Sequence, residues 1–157
     1  MDAADPHDGW YPHVTVAAIA RRDGKYLMVR ERILGQPVIN QPAGHLEKDE
    51  TLQEAVIREC REETGWEFEP EGLVGIYYMQ NRRGTSYLRF AFHGTLSGHA
   101  DAGRLDPEIE EVVWMDRDTL AQNRSHHRNE MVLQCIDDFE SGKRLPNDAI
   151  LQSIQAG

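Results

Sequence analysis

The residues with the clearest chemical potential lie on a short segment that contains Arg58, Glu59, Glu62 and Glu63. On an α-helix, which turns by about 100° per residue, the three glutamates fall within one arc of the surface. Carboxylates three and four residues apart are neighbours and repel one another. A hard divalent cation such as Mg²⁺, which prefers oxygen ligands, offsets that repulsion. We therefore predict a metal site on this face, the alternative being an ordinary solvated acidic helix face.

The sequence on either side predicts how this helix is held. Thr51 opens a capping-box pattern, and Gly65 stands where a left-handed residue commonly ends a helix. We therefore predict a helix from about Thr51 to Thr64. Upstream, the sequence QPAG at residues 41–44 is typical of a tight turn that brings backbone close to a ligand. The connecting loop is expected to fold Glu50 back toward the carboxylates.

This segment resembles the sequence motif of the Nudix hydrolases, G-x5-E-x7-R-E-U-x-E-E-x-G-U, in which U is a bulky apolar residue. The fixed positions of the motif are occupied here by Gly44, Glu50, Arg58, Glu59, Glu62, Glu63 and Gly65. The two apolar positions hold Cys60 and Trp66, which are less usual choices. Outside the motif, PHVTVA at residues 12–17, NQPAGHLE at residues 40–47 and LRF at residues 88–90 are similar to bacterial NudJ-type phosphatases.

The resemblance implies a set of roles for these residues. Metal binding is assigned to the carboxylates of Glu59, Glu62 and Glu63 and to the carbonyl of Gly44, with Mg²⁺ as the cofactor and Mn²⁺ as a possible substitute. Arg58 is expected to orient a glutamate and the loop. Two roles are open for Glu50, which either binds metal at an outer site or holds the loop. The general base is either a glutamate of the motif or an acid outside it, for which the candidates are Glu108, Glu110 and Glu111.

Substrate contacts are predicted for residues outside the helix. Arg30 and Arg89 are the preferred candidates for binding phosphate, the alternative being ordinary surface arginines. Gln41 and Tyr87 are predicted to contribute to the substrate wall, although an aromatic side chain in a strand is more often part of the core.

The rest of the pattern favours an α/β protein. Strands are predicted at His13–Ala20, Lys25–Arg30, Leu73–Gln80, Tyr87–Leu96 and Val112–Met115, and further helices at Arg117–Gln122 and Asn129–Ser141. Residues 33–40 and 97–107 are interpreted as irregular, because both contain glycine and proline. In the fourth strand Arg89 and Tyr87 are expected to face a cleft. Strands interleaved with helices predict a mixed β-sheet covered on both faces, in agreement with the α/β/α sandwich that the resemblance implies.

Length and composition fit one domain. The chain has 157 residues, and we assign residues 10–157 to a single domain and residues 1–9 to a flexible tail. A formal net charge of −10 argues against binding to nucleic acid or to an anionic membrane, since both reward basic surfaces. Two cysteines without a CxxC pair favour free thiols and a cytoplasmic location. Whether the protein is a monomer or a homodimer is left open.

Three functions are consistent with these observations. The first, implied by the resemblance, is Mg²⁺-dependent release of orthophosphate from nucleoside di- and triphosphates and from a thiamine-precursor pyrophosphate. The second is hydrolysis of an internal pyrophosphate link, as in a dinucleotide or ADP-ribose. The third is a binding protein without catalysis, which is disfavoured because it has no need for every acidic position of the motif. In the first two, the partner is a small phosphorylated molecule.

Overall fold

The computed structural model describes residues 9–99, 105–146 and 148–155. Apart from Gly9, the predicted tail lies outside these ranges, as does part of the predicted 97–107 loop. Within these ranges, seven strands and three α-helices follow one another: β1 (His13–Arg22), β2 (Lys25–Ile33), β3 (Gln36–Asn40), β4 (Ala43–His45), α1 (Leu52–Thr64), β5 (Trp66–Gln80), β6 (Ser86–His99), β7 (Ile109–Met115), α2 (Arg117–Gln122) and α3 (Met131–Glu140).

The strands form a mixed sheet that is split near its middle. Its order is β3-β2-β1-β6-β5, with β4 paired to β1 and β7 paired to β2. The pair β1–β6 is parallel, whereas the other pairs are antiparallel. Strands β1 and β2 pair only beside their tight turn, at Arg21 with Tyr26 and Arg22 with Lys25. The two halves of the sheet therefore separate beyond the turn, and this separation leaves room for a site.

Apolar side chains cover both faces of the sheet. Val16, Ala18 and Ala20 alternate along β1 and pack against the apolar side of α1. Ile19 points to the opposite face, which is covered by α2 and α3. The predicted α/β/α sandwich is thus confirmed. Among the described residues, no helix has the length and apolar character needed to cross a membrane.

The prediction that residues 33–40 are irregular is wrong. Leu34 and Gly35 both have positive φ, at 50° and 79°, and they form a two-residue turn between β2 and β3. Arg32 closes this turn by donating from Nη1 to the carbonyl of Gly35 at 2.7 Å. Pro37 is tolerated because β3 lies at the edge of the sheet. Glycine and proline therefore mark a hairpin here, rather than a loop.

Helix α1 is held at both ends. The Thr51 hydroxyl accepts a hydrogen bond from the Glu54 amide at 3.2 Å, as the capping-box pattern predicts. Gly65 adopts the left-handed conformation, and its amide donates to the Arg61 carbonyl at 2.9 Å. The Leu52 amide, one of the unpaired donors at the start of the helix, is bound by the side-chain carbonyl of Gln152 at 2.7 Å. The C-terminal segment thus contributes to the position of α1.

Replacing the cap of α1 tests this arrangement. Thr51→Ala removes the acceptor for the Glu54 amide, so we expect the free energy of unfolding to fall by about 1 kcal/mol. Thr51→Ser keeps the hydroxyl and should remain near wild type. Urea unfolding followed by circular dichroism measures both variants, and equal stabilities for the two would contradict a capping role.

Candidate active site

Arg58 of α1 contacts acidic side chains both of the helix and of the loop before it. Arg58 contacts Glu50 at 2.7 Å, Glu59 at 2.8 Å and Glu62 at 3.2 Å. Its Nη2 also donates to the carbonyl of His45 at 3.0 Å. The guanidinium therefore joins the helix to the loop before it. This contact also lowers the pKa of Glu50, because the hydrogen bonds from Arg58 favour the ionised carboxylate.

Gly44 lies directly against the carboxylate of Glu59. A Cβ atom built on Gly44 would stand 2.1 Å from Cδ of Glu59, so any larger residue here would have to displace that carboxylate. Glycine thus allows the backbone of this loop to approach the Glu59 carboxylate closely.

Glu63 is almost completely buried, at 4% exposure, beneath the loop that contains Gly44. Its Oε1 accepts a hydrogen bond from the Ala43 amide at 2.7 Å. Its other neighbours include a second buried carboxyl group, that of Glu31 on β2, which lies within hydrogen-bonding contact. Burial raises the pKa of Glu63 well above its ordinary value, and the nearby charges of Glu31 and Glu59 raise it further.

Two neighbouring acids, Glu59 and Glu31, also have raised pKa values. The pKa of Glu59 is raised by burial, against the opposing effect of Arg58. The pKa of Glu31 is also raised by burial, although Arg128 lies 3.4 Å away and acts in the other direction. We refer to Glu59, Glu63 and Glu31 as the carboxylate row. It is bordered by Arg58 at one end and by Arg128 at the other.

The chemistry of the carboxylate row suits a divalent cation. Buried carboxylates that share little positive charge are costly, and a bound cation removes that cost. Glu62, whose side chain is 49% exposed, completes the acidic face of α1. Within the described ranges, no group of three or more histidine, cysteine or acidic side chains already stands in ligating arrangement. Glu59 and Glu62 are instead turned toward Arg58.

The acids outside the motif divide into two groups. Asp106 and Glu108 lie close enough to Glu31 to raise its pKa further, after the larger effect of burial. The Asp106 amide also donates to the carbonyl of Glu62 at 2.9 Å, which fixes this turn beside α1. Glu110 and Glu111 are directed elsewhere, as shown by the ion pairs Glu110–Arg32 and Glu111–Arg30. Of the three candidates for an outside base, only Glu108 is brought near the carboxylate row.

Of the predicted substrate-binding residues, Arg30 and Tyr87 are accessible. Arg30 lines a cavity of about 200 Å³ together with Pro37, Val38, Ile39, Asn123 and His126. Successive side chains of a strand point to opposite faces, so this cavity lies across β2 from Glu31. Tyr87 packs on His13, with ring centroids 5.4 Å apart, and His13 contacts His45 at 3.2 Å. Tyr87 is therefore connected to the loop of Gly44, whereas Arg30 is not.

Gln41 and Arg89 occupy the interior instead of the wall of a cleft. Arg89 is 5% exposed and donates to the side chains of Gln41 and Asn40, both at 2.9 Å. Gln41 is fully buried and donates to the carbonyl of Val132 at 2.6 Å. The expectation that Arg89 faces an open cleft is wrong, because α3 covers that face of β6. In this structure the pair supports the strand that leads to Gly44.

Three residues near the site were not predicted from the sequence, namely Glu31, Asp106 and Arg128. Glu31 is predictable from the sequence, since it continues the alternation of Leu27 and Val29 on the face of β2 that meets α1. The strand predicted from the sequence, Lys25–Arg30, ends one residue before it. Asp106 and Arg128 lie in connecting segments, where no periodic pattern indicates direction.

Comparisons with known proteins identify the family of this chain. The NUDIX domain family matches residues 11–135, and the chain therefore belongs to the Nudix hydrolases, which generally use divalent metal ions. It is 38% identical over 139 residues to Phosphatase NudJ of Escherichia coli strain K12, an alignment that covers 88% of this chain and 90% of the relative.

Solved structures show the same fold. A NUDIX hydrolase from Nitrosomonas europaea is 43% identical, with a TM-score of 0.86 over 91% of this chain and 98% of that chain. The NUDIX domain of Shewanella oneidensis NrtR, solved with ADP ribose, is 20% identical, with a TM-score of 0.66 over 88% of this chain and 92% of that chain. The second likeness shows the fold alone.

The close contact of Gly44 with Glu59 is testable by adding one methyl group. We expect Gly44→Ala to displace the Glu59 carboxylate and to weaken Mn²⁺ binding by about tenfold or more. Titration followed by electron paramagnetic resonance measures the affinity. In a Glu59→Gln background the added methyl should lower the Mn²⁺ affinity much less, because the charged ligand that it displaces is already absent. Fully additive losses would contradict a direct contact.

The burial of Glu63 predicts how stability depends on pH. Because its pKa is raised in the folded protein, the folded chain holds a proton that the unfolded chain releases. This contribution to stability is complete below the unfolded pKa of about 4.3 and is lost as the pH rises through the folded pKa. We expect the Tm of the metal-free protein to fall from about pH 5 upward and Mg²⁺ to reduce that fall.

Differential scanning fluorimetry with EDTA or Mg²⁺, at a series of pH values, measures both effects. Glu63→Gln serves as the control, because its side chain cannot ionise and its metal-free Tm should depend less on pH. A wild-type Tm that stays constant in EDTA over this range would show that burial of Glu63 costs little.

Proposed function

We propose that this protein is a Mg²⁺-dependent hydrolase of phosphoanhydride bonds in small molecules that releases orthophosphate. The observation that carries the proposal is the convergence of the carboxylate row with Gly44 at the loop before α1. The 38% identity to Phosphatase NudJ over most of both chains supports a phosphatase in particular. Nucleoside di- and triphosphates and a thiamine-precursor pyrophosphate are the proposed substrates, by resemblance to the NudJ-type enzymes.

The residues of the motif divide into ligands and supports. Glu59, Glu62 and Glu63 would hold the cation together with the carbonyl of Gly44. When bound, Mg²⁺ supplies charge neutralisation for the phosphate oxygens and lowers the pKa of a water molecule, and Mn²⁺ can substitute. Arg58 acts as a positioning residue, since it holds Glu59, Glu62 and the loop carbonyl of His45 at once.

Glu50 has a supporting role in this assignment. Its two oxygens bind Arg58, at 3.0 and 2.7 Å, and Oε1 also accepts from the Glu47 amide at 2.7 Å. These contacts favour holding the loop over an outer metal position. For the general base, the proposal keeps a glutamate of the motif or Glu108, because Glu110 and Glu111 are engaged in ion pairs away from the carboxylate row.

The substrate is expected to approach from the side where Tyr87, His13 and His45 meet the loop of Gly44. Arg30 remains a candidate for a part of the substrate distant from the cation. Gln41 and Arg89 are proposed to hold the segment before Gly44 in place, since both are buried and hydrogen-bonded to each other. The buried free thiols Cys60 and Cys135 favour a cytoplasmic protein, and the net charge of −10 disfavours nucleic acid as a partner.

Product analysis tests the reaction. The purified protein is incubated with a panel of nucleoside diphosphates, triphosphates, dinucleotides and ADP-ribose, with Mg²⁺ or with EDTA. Orthophosphate from a diphosphate, present only with Mg²⁺, supports the proposal. A nucleoside monophosphate together with a second phosphorylated fragment indicates instead a hydrolase of internal pyrophosphate links. Absence of turnover on every substrate of the panel would contradict the proposal and indicate a binding protein without catalysis.

Glu59→Gln tests the assignment of the carboxylates. The change keeps the size of the side chain but removes its charge, so we expect kcat to fall by about 100-fold or more with the fold intact. Phosphate release measures kcat, and circular dichroism checks the fold. Glu69→Gln, the same change at an exposed position of β5, is the control and should retain wild-type activity. A near-normal rate for Glu59→Gln would place the chemistry elsewhere.

A further inference from the structure

Glu31 is a buried acid that the Nudix motif does not include. It lies on β2, in the other half of the split sheet from Gly44, and is 7% exposed. Its carboxyl group contacts that of Glu63, which is itself buried and bonded to the Ala43 amide. Two ionised carboxylates in contact inside a protein are unfavourable, and either a shared proton or a shared cation relieves their repulsion. A purely structural position would normally hold an apolar side chain.

The backbone of the sheet is irregular at this residue. The register between β2 and β7 shifts between Arg30 and Glu31, where Arg30 pairs with Glu111 and Glu31 pairs with Ile109. Glu110 is the extra residue of this bulge, and its side chain is paired with Arg32. Bulges occur often beside active sites, where they change the direction of a side chain. The irregularity thus coincides with the position of the buried acid.

The surrounding charges leave Glu31 only partly neutralised. Arg128 is 3.4 Å from one of its oxygens, in an ion pair of moderate distance. Asp106 and Glu108 add negative charge from the turn before β7. The side chain therefore faces one arginine, one buried glutamate and two further acids. One positive charge therefore faces up to four negative ones, and a shared divalent cation would reduce this imbalance.

We propose that Glu31 is a further carboxylate of the divalent-cation site, contributed by β2 from outside the Nudix motif and held in position by Arg128. The inference rests on the function proposed above and adds a residue to its site. Glu31 of β2 would then hold the cation together with Gly44 and with the α1 glutamates Glu59, Glu62 and Glu63. Arg128 is a positioning residue that acts through Glu31.

Glu31→Gln tests this proposal without requiring activity. Glutamine keeps the size of the side chain and a hydrogen bond to Glu63 but removes the charge. We expect the affinity for Mn²⁺, measured by electron paramagnetic resonance in the absence of substrate, to fall by about tenfold or more. The metal-free Tm should be equal to or higher than that of wild type, because a repulsion between buried acids is removed. A merely structural role would lower the metal-free Tm and leave the Mn²⁺ affinity unchanged.

Two further variants complete the experiment. Glu69→Gln, on an exposed position of β5, should bind Mn²⁺ as wild type does. Glu31→Asp keeps the charge but withdraws the carboxylate by one methylene, and it serves as the second test if Glu31→Gln fails to fold. Its affinity for Mn²⁺ should be reduced several-fold, and wild-type affinity in either folded Glu31 variant would overturn the proposal.

The outcome separates this inference from the proposed function. If wild-type protein binds Mn²⁺ and hydrolyses its substrates while the Glu31 variants bind equally well, only the role of Glu31 is refuted. If the wild-type protein itself neither binds Mn²⁺ nor hydrolyses any substrate, both proposals fail together.

Discussion

The mutual repulsion of buried carboxylates is the constraint on which the rest of this structure depends. Glu59, Glu63 and Glu31 lie close together, and Arg58 and Arg128 border them. Such an arrangement lowers the stability of the chain, because each of these acids is shifted toward its protonated form. A local cost of this kind is typical of functional sites, and the family to which the chain belongs generally uses divalent metal ions.

The split of the sheet makes room for these side chains. Strand β1 pairs with β6 along eight positions but with β2 only beside their turn. The short strand β4 pairs with the free edge of β1 and brings Ala43 and Gly44 to the C-terminal half of α1. A continuous sheet would have placed β2 against β1 and left no space at this point. The site is therefore a property of the sheet topology as well as of the helix.

The sequence predicted α1 well because its signals are local. The cap at Thr51, the stop at Gly65 and the spacing of the acids are all set by helix geometry. It predicts β3 and the surroundings of Arg89 poorly, because the pattern indicates an irregular segment for the first and an open cleft for the second. Burial of Arg89 depends on α3, which is more than 40 residues further along the chain. Contacts of this range are not encoded in any periodic pattern, and the roles assigned to the site residues remain predictions.

The hydrogen bond from the Leu52 amide to Gln152 joins the first turn of α1 to a segment 100 residues away in sequence. Leu145 and Ile150 pack against the same apolar cluster as that helix. The C-terminal part of the described chain thus helps to hold in place the helix that carries the acids. Protein engineering that shortens this segment, or fuses another domain close to it, would disturb a contact that fixes the start of α1.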